Sequence, residues 1–227
     1  MSTVFVKKFD EPKFNIKEIL RYSQTNDEDI IPLINECIDE VKDKLSYRVC
    51  YAFFDVEKND DFINLTFTKA KSKNLIENLK DASKIVLFGA TIGIEIDRLI
   101  AKYGKISPLK ALIFQSIGAE RIESLCDMFC DDISKELNKN NLFTLPRFSP
   151  GYGDFYLTHQ NDIFNVLSLH KNIGLTLNSS YIMSPSKSVT AIMGITDKKC
   201  DFDTHKCKNC NKKDCSFKNN DYQENQQ

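Results

Sequence analysis

A long amphipathic helix constrains the fold of this chain more than any other sequence feature. It begins at Ser107-Pro108, because serine favours the position before a helix and proline fits its first turn. The apolar residues that follow recur at the spacing of one helix face and are Leu109, Leu112, Ile113, Ile117, Ile122, Leu125, Cys126, Phe129, Ile133 and Leu137. This stripe predicts the longest helix of the protein, with one apolar face.

The rest of the chain mixes predicted helices and strands. Apolar residues at helical spacing predict helices over 14–22, 30–45, 73–81, 93–103 and 159–172. Apolar or alternating runs predict strands over 47–56, 61–68, 84–90, 175–183 and 188–196. Because strands and helices do not alternate in a strict βα rhythm, we predict an α+β fold instead of a doubly wound sheet.

Composition narrows the class of protein. The chain has 227 residues, a formal net charge of −1 and 41% hydrophobic residues, which are enough for a substantial core. A near-neutral charge gives no general attraction to nucleic acid or to an anionic membrane. No apolar run approaches the roughly 18 residues of a membrane span, and the amino terminus carries no signal-peptide pattern. We therefore expect a cytoplasmic protein with neither a nucleic-acid nor a membrane partner.

Four of the eight cysteines lie close together near the carboxyl terminus. Cys200, Cys207, Cys210 and Cys215 are spaced C-x6-C-x2-C-x4-C, and a reducing compartment disfavours disulfides. Thiolates at this density suit Zn or an iron–sulfur cluster, and the alternative is a reduced tail without metal. The predicted organisation is one domain over 1–198, a Cys-rich tail over 199–218 and a disordered terminus over 219–227.

Two other patterns are weaker candidates for sites. FGATIG, residues 88–93, ends a strand and opens a helix, as phosphate-binding loops do, but tight packing of the glycines explains it better. Cys126 and Cys130 lie four residues apart on the long helix, where buried cysteine is an ordinary small apolar residue. No spacing of the three histidines or of the serines indicates a nucleophilic hydrolase.

The stretch RFSPGYGDF, residues 147–155, is a shaped loop. Proline fixes the backbone, and two glycines permit close approach to a ligand. The fork of Arg147 can hold a carboxylate through two hydrogen bonds, and the ring of Tyr152 can face a cation. The loop therefore suits a zwitterionic amino acid with a positive centre and a flat ring, and the alternative is an ordinary surface turn.

The loop also resembles a known family. R-x-[AS]-P-G-Y, present at residues 147–152, is similar to the S-adenosylmethionine-binding motif in the activation domain of cobalamin-dependent methionine synthase. The stretches FGATIGIEIDRLIAKYGKISPLKAL, AERIESLCD and S-x-x-M-x-P-x-x-S-V-[ST], the last over 180–190, resemble stand-alone bacterial versions of that domain. The resemblance covers roughly residues 14–218. It implies a single α+β domain with a curved, mainly antiparallel sheet and packed helices, not a Rossmann fold.

The resemblance assigns ligand-binding roles to four residues of the loop. Arg147 matches the arginine that holds the ligand's carboxylate, and Ser149 matches a backbone contact. Gly151 and Tyr152 match the glycine and tyrosine beside the ligand, where the tyrosine also faces the cobalamin. The family continues P-A-C-P where this chain has Gly-Asp-Phe-Tyr at 153–156.

A fifth ligand contact is implied on the long helix. Glu123 matches an acidic contact of the family, and Glu120 is the alternative if the alignment slips. The resemblance requires no acid, base or nucleophile, so the predicted catalytic set is empty. It does not account for the Cys-rich tail.

The resemblance implies a complete activity in partnership with other proteins. An electron from a flavodoxin- or ferredoxin-type donor and a methyl group from S-adenosylmethionine restore methylcobalamin from inactive cob(II)alamin. The implied partner is a cobalamin-dependent methionine synthase that lacks its own activation domain and binds the cobalamin itself. Two alternatives stay open: reactivation of another corrinoid protein, and a metal-binding redox or interaction module built on the tail.

Overall fold

The computed structural model describes residues 2–198, which form an α+β fold. Within this part of the chain the helices are α1 Ile16–Tyr22, α2 Ile31–Val41, α3 Lys73–Asn78, α4 Glu95–Ile106, α5 Pro108–Asn138, α6 Gln160–Leu167 and α7 Leu169–Ile173. The strands are β1 Phe5–Lys8, β2 Arg48–Asp55, β3 Glu57–Lys58, β4 Ile63–Asn64, β5 Lys69–Ala70, β6 Lys84–Thr91, β7 Phe143–Thr144, β8 Thr176–Leu177, β9 Met183–Ser184 and β10 Ser188–Thr196. The predicted fold class is confirmed.

A curled antiparallel sheet of five strands forms the centre, in the order β1-β2-β6-β10-β7. The middle strand β6 pairs with β2 and β10 over its full length, so that Phe88 lies opposite both Tyr51 and Ala191. β7 pairs with only the last two residues of β10. The first residues of β10 therefore have no strand partner on the side opposite to β6, and they form a free edge of the sheet.

Both faces of this sheet are covered, because side chains alternate along its strands. On one face Val86, Phe88 and Ala90 pack against α1, α2, α4 and α5, which together make the first core. On the other face Ile85 and Leu87 pack against α3, α6, α7 and the small sheet of β3, β4 and β5, which make the second core. Because β6 is buried on both faces, its sequence is a continuous apolar run, KIVLFGA, without alternating polar residues.

The predicted long helix is confirmed as α5, with Pro108 at its first position. Ser107 precedes it as expected, although its side chain makes no capping hydrogen bond. A charged pair is buried in its middle, where Arg121 bonds to the carboxylate of Glu120 and donates to the backbone carbonyls of Pro12 and Lys13 at 2.5 and 2.7 Å. This pairing satisfies both charges and ties the amino-terminal segment to the helix.

The structure differs from the predicted helix over 159–172. It contains a 3-10 turn at Leu157–His159 and then two short helices, because Ser168 adopts a left-handed conformation with φ 47°. Leu167 and Leu169 are both fully buried. Two residues that lie two apart cannot face one side of a continuous helix, so the break lets both side chains enter the second core. Gly174 ends the second helix, with φ 72°.

Two strand predictions also need correction, and the predictions omit two short edge strands. Over 61–68 only Ile63–Asn64 is a strand, because Thr66 has φ 71° and interrupts the extended backbone. The segment 175–183 is a hairpin of β8 and β9 instead of one strand, since Asn178 accepts hydrogen bonds from the backbone of Ser180 and Ile182 at 2.9 Å each. The short edge strands β1 and β7 were not predicted, because neither has a distinct apolar run.

Candidate functional site

A cleft of about 280 Å³ lies at the free edge of β10. It is enclosed by α5, by the loop after β7, by the start of α6 and by the hairpin that leads into β10. The lining residues are Glu123, Arg147, Ser149, Pro150, Tyr152, Gln160, Met183, Ser188, Val189 and Thr190. The structure thus brings together the R-x-[AS]-P-G-Y loop and the S-x-x-M-x-P-x-x-S-V-[ST] segment, which are more than 25 residues apart in the chain.

Arg147 carries the positive charge of the cleft. Its guanidinium donates to Glu123 at 2.5 Å and to Asp127 at 2.8 Å, and both carboxylates come from α5. Burial alone would lower the pKa of Arg147, but the neighbouring acidic groups outweigh it and the pKa is raised. Because the guanidinium has five N–H donors, this charged and oriented group retains donors for a ligand.

The loop that carries Tyr152 is a compact turn. The N–H of Tyr152 donates to the carbonyl of Ser149 at 3.1 Å, and the N–H of Phe155 donates to the carbonyl of Tyr152 at 3.0 Å. Tyr152 itself is 57% exposed and makes an edge contact with Phe148, whose ring centre is 6.0 Å away. The turn therefore presents the tyrosine ring at the rim of the cleft.

Residues 153–154 anchor this loop to α3. The carboxylate of Asp154 accepts hydrogen bonds from Ser72 Oγ at 2.5 Å and from the backbone N–H of Lys73 at 2.7 Å and of Asn74 at 3.1 Å. The hydrogen bond from Ser72 is the main reason why the pKa of Asp154 is lowered. Gly153 has φ 54° and lies against Asn74, where a side chain would not fit. Gly153 and Asp154, at which this chain differs from the family pattern, thus attach the loop to α3.

The side of the cleft that faces α6 is neutral. Gln160 and Thr190 are 5% and 2% exposed, and their side-chain oxygens Oε1 and Oγ1 have no hydrogen-bond partner. Ser188 Oγ donates to the carbonyl of Pro185 at 2.8 Å and lies 2.9 Å from Thr91 Oγ1, whose hydroxyl can donate to it. Buried polar atoms in proteins are nearly always hydrogen-bonded, so two unpaired oxygens in one cleft are consistent with a polar ligand.

Four of the five predicted ligand-binding residues line this cleft, namely Glu123, Arg147, Ser149 and Tyr152. Gly151 does not line it and instead shapes the turn, where its N–H donates to the carbonyl of Phe155 at 2.7 Å. The alternative contact Glu120 is buried and already bonded to Arg121 and to Ser124 Oγ. The geometry therefore favours Glu123 at this position, and the ligand-binding roles themselves stay predictions.

Six other residues of the lining are not among the predicted ligand contacts. Pro150 lies inside the predicted loop, whereas Gln160 follows it and gave no separate signal. Four of them stand at fixed positions of the S-x-x-M-x-P-x-x-S-V-[ST] pattern, namely Met183, Ser188, Val189 and Thr190. That pattern was the available signal, but a pattern does not show which of its side chains face a ligand.

The weaker candidate sites are structural. A side chain at Gly89 would lie 2.7 Å from Leu169, so close packing explains the glycine of FGATIG. Burial raises the pKa of Cys126 well above its ordinary value and that of Cys130 to about 11, as expected for thiols packed in the core. Residues 2–198 contain no group of three or more His, Cys, Asp or Glu side chains that could hold a metal ion.

The predicted metal ligands Cys200, Cys207, Cys210 and Cys215 lie outside the described residues, as do the predicted tail and terminus. The metal site therefore stays a prediction. Among the helices of the described region, none is both long and apolar enough to cross a membrane.

The protein is an α+β domain with a polar cleft at the edge of its sheet. Comparisons with known proteins identify its family. The model of the vitamin B12 dependent methionine synthase activation domain matches residues 76–220. Because this match spans more than half of the chain, the protein belongs to that family. A search of curated proteins finds no match.

Solved structures show the same fold. The chain is similar to the crystal structure of the MetH reactivation domain bound to AdoHcy, with a TM-score of 0.60 and 16% sequence identity. The alignment covers 87% of this chain and 80% of that one. At this identity the likeness shows a shared fold.

Proposed function

We propose that this protein binds S-adenosylmethionine in the cleft and presents it to the cobalamin of a partner methionine synthase for reductive reactivation. Membership of the activation-domain family and an AdoHcy-bound structural neighbour support this function. The observation that carries it is the convergence of Arg147, Glu123 and two unpaired buried oxygens on one cleft. This set matches a ligand with a carboxylate, an ammonium group and a neutral polar part.

The charged end of the cleft binds the amino-acid part of the ligand in this proposal. Arg147 donates to the carboxylate, and Glu123 accepts from the ammonium group. Asp127 holds Arg147 from the side, with its oxygen 2.8 Å from the guanidinium, and thereby keeps the fork oriented before the ligand arrives. Ser149 adds a backbone contact from the loop.

The protein contributes position and exclusion of water, not proton transfer. The partner's cobalamin, once reduced, would supply the nucleophile that accepts the sulfonium methyl group, and S-adenosylhomocysteine would be the other product. The residues of this chain fix the direction of that methyl group, because small misplacements of a reacting atom cost large factors in rate. The electron comes from a flavodoxin- or ferredoxin-type donor.

The rim of the cleft suits a large apolar partner surface. Tyr152, Tyr156 and Ile182 are 57%, 68% and 62% exposed. Tyr152 lines the cleft, and Ile182 precedes the lining residue Met183. Exposed aromatic and aliphatic side chains around a binding site are typical of protein interfaces. The partner in this proposal is a methionine synthase that carries cobalamin and lacks its own activation domain.

Calorimetry with S-adenosylmethionine tests the binding step. Arg147→Ala should weaken binding by about 2–4 kcal/mol, which is about thirtyfold or more, because the ligand's carboxylate loses its charge-assisted partner. Arg147→Lys should recover part of this loss. Arg98→Ala is the matched control, since Arg98 pairs with Glu95 on the exposed face of α4 and should leave the affinity unchanged.

Absorbance spectroscopy tests the reactivation step. The cob(II)alamin form of the methionine synthase from the same organism is mixed with this protein, the electron donor and S-adenosylmethionine, and methylcobalamin formation is followed. Absence of ligand binding by the wild-type protein would contradict the proposed cleft function. Ligand binding without reactivation of this methionine synthase would contradict the proposed partner and would favour another corrinoid protein in its place.

A further inference from the structure

Two buried oxygens without partners single out one wall of the cleft. In residues 2–198 five buried side-chain polar atoms have no hydrogen bond, and two of them, Gln160 Oε1 and Thr190 Oγ1, belong to residues that line this cleft. The two side chains come from different elements, α6 and β10, and are 5% and 2% exposed. Leaving a buried polar atom unpaired costs stability, so a pair of them at one place indicates a ligand-binding role.

The backbone of Thr190 adds further hydrogen-bonding groups to this wall. Ile192 exchanges both of its backbone hydrogen bonds with Phe148 at 2.8 Å, on the side of β10 opposite to β6. In an antiparallel strand the backbone N–H and C=O groups of successive residues point alternately to one side and the other. Thr190 lies two residues before Ile192, so it also turns its N–H and C=O away from β6. The loop after β7 has no paired strand at this level, so these groups face the free edge that borders the cleft.

The sheet edge divides the cleft into a charged half and a neutral half. Arg147 points to α5, where its two carboxylate partners lie. The next residue, Phe148, packs against the second core, on the side of α6 and Thr190. The half of the cleft around Arg147 therefore suits charged groups of a ligand. The half with an amide and a hydroxyl suits a neutral group that both donates and accepts hydrogen bonds.

We propose that Gln160 and Thr190 bind the nucleoside part of the ligand and give the cleft its specificity for adenosine. A glutamine amide can accept from the amino group of adenine and donate to the adjacent ring nitrogen. This assignment rests on the proposed function, because it takes S-adenosylmethionine as the ligand. It adds the residues that recognise the part of the ligand that carries no charge.

The assignment makes an unusual prediction for stability. Replacing an unpaired buried hydroxyl by a methyl group of similar shape removes a cost, so Thr190→Val should keep or raise the melting temperature of the ligand-free protein. Thr196→Val is the matched control on the same strand, since Thr196 is fully buried and accepts from the backbone N–H of Lys198 at 3.1 Å. This control should lower the melting temperature and leave ligand affinity unchanged.

Calorimetry with two probes tests the recognition. S-adenosylhomocysteine contains both halves of the ligand, and 5′-methylthioadenosine contains the nucleoside without the amino acid. Thr190→Val and Gln160→Met should each weaken binding of both probes about threefold to tenfold, the loss expected for one hydrogen bond. Arg147→Lys should weaken only S-adenosylhomocysteine. 5′-Methylthioinosine lacks the amino group of adenine, so wild type should bind it more weakly than methylthioadenosine and Gln160→Met should bind both equally.

The outcomes separate this inference from the function on which it rests. If wild type binds neither S-adenosylmethionine nor S-adenosylhomocysteine, the proposed function fails. If wild type binds them and the Thr190 and Gln160 variants bind equally well, the inference is wrong and the function stands. Loss of affinity for S-adenosylhomocysteine alone would place these residues at the amino-acid end and would also overturn the inference. A large fall in the melting temperature of Thr190→Val would show a structural role instead.

Discussion

Gly153→Ala should loosen the loop that carries Tyr152, and its cost can be worked out from two local features. Gly153 has φ 54°, a left-handed conformation that glycine adopts without penalty. A Cβ at this position would fall inside the contact distance of Asn74 Oδ1 and 2.8 Å from Asn74 Cγ. The added methyl group therefore forces the Asn74 amide to move.

Each feature contributes a separate cost. The left-handed conformation costs an alanine about 1–2 kcal/mol. Displacing Asn74 breaks its hydrogen bond with the N–H of Asp154, now 3.2 Å long, which is worth about 0.5–1.5 kcal/mol. We expect a loss of about 2–3 kcal/mol in the free energy of unfolding. For a domain of this size that corresponds to a fall of about 4–12 °C in the melting temperature.

Equilibrium unfolding in urea measures this loss. Gly104→Ala is a control of opposite sign, because Gly104 lies within α4 with nothing within 4 Å of an added Cβ, and alanine favours a helix. Asn74→Ala should remove most of the steric part, so the double variant with Gly153→Ala should lose less than the sum of the single losses. A Gly153→Ala protein as stable as wild type, or strictly additive losses, would refute this account of the loop.

Three further predictions address the same region and the tail. Tyr152→Ala should reduce methylcobalamin formation more than it reduces calorimetric affinity for S-adenosylmethionine, because Tyr152 stands at the exposed rim, and equal losses would make it only a ligand contact. Asp154→Asn should destabilise the protein at neutral pH in thermal unfolding. The hydrogen bond from Ser72 lowers the pKa of Asp154 in the folded protein. The difference in melting temperature between wild type and Asp154→Asn should therefore persist above the ordinary aspartate pKa of about 4, and it should vanish as the pH falls through the pKa of Asp154 in the folded protein. Anaerobically purified protein should contain Zn or iron by elemental analysis, and replacing Cys207 and Cys210 with serine should remove it; four titratable tail thiols without metal would contradict this.

The sequence predicts the large elements of the fold because each has a clear apolar pattern. The helix α5 follows from its Ser107-Pro108 start and its helical apolar stripe, and the buried strand β6 follows from a continuous apolar run. The break at Ser168 does not, because it depends on which neighbours receive Leu167 and Leu169. The short edge strand β1 likewise depends on pairing with β2, which no local pattern reports.

The candidate site divides in the same way. Arg147 and Tyr152 were predictable as part of the cleft, since proline and glycine around them mark a shaped loop and the loop motif is fairly specific together with the S-x-x-M-x-P-x-x-S-V-[ST] segment. The partners of Arg147 on α5 and the unpaired oxygen of Thr190 follow only from the packing of α5 and β10 against that loop. Sequence motifs therefore indicate which segments form the site, and the tertiary structure shows how its charges are distributed.

The two carboxylates around Arg147 bear on product release in the proposed reaction. Glu123 and Asp127 together exceed the single charge of the guanidinium, so the cluster carries one net negative charge. S-adenosylmethionine has a net charge of +1 and S-adenosylhomocysteine is neutral at the pH of the cell. Loss of the methyl group removes the positive charge that the cluster attracts. The cleft should therefore bind the product S-adenosylhomocysteine less tightly than S-adenosylmethionine. Salt screens this difference, so the preference for substrate over product should narrow as ionic strength rises.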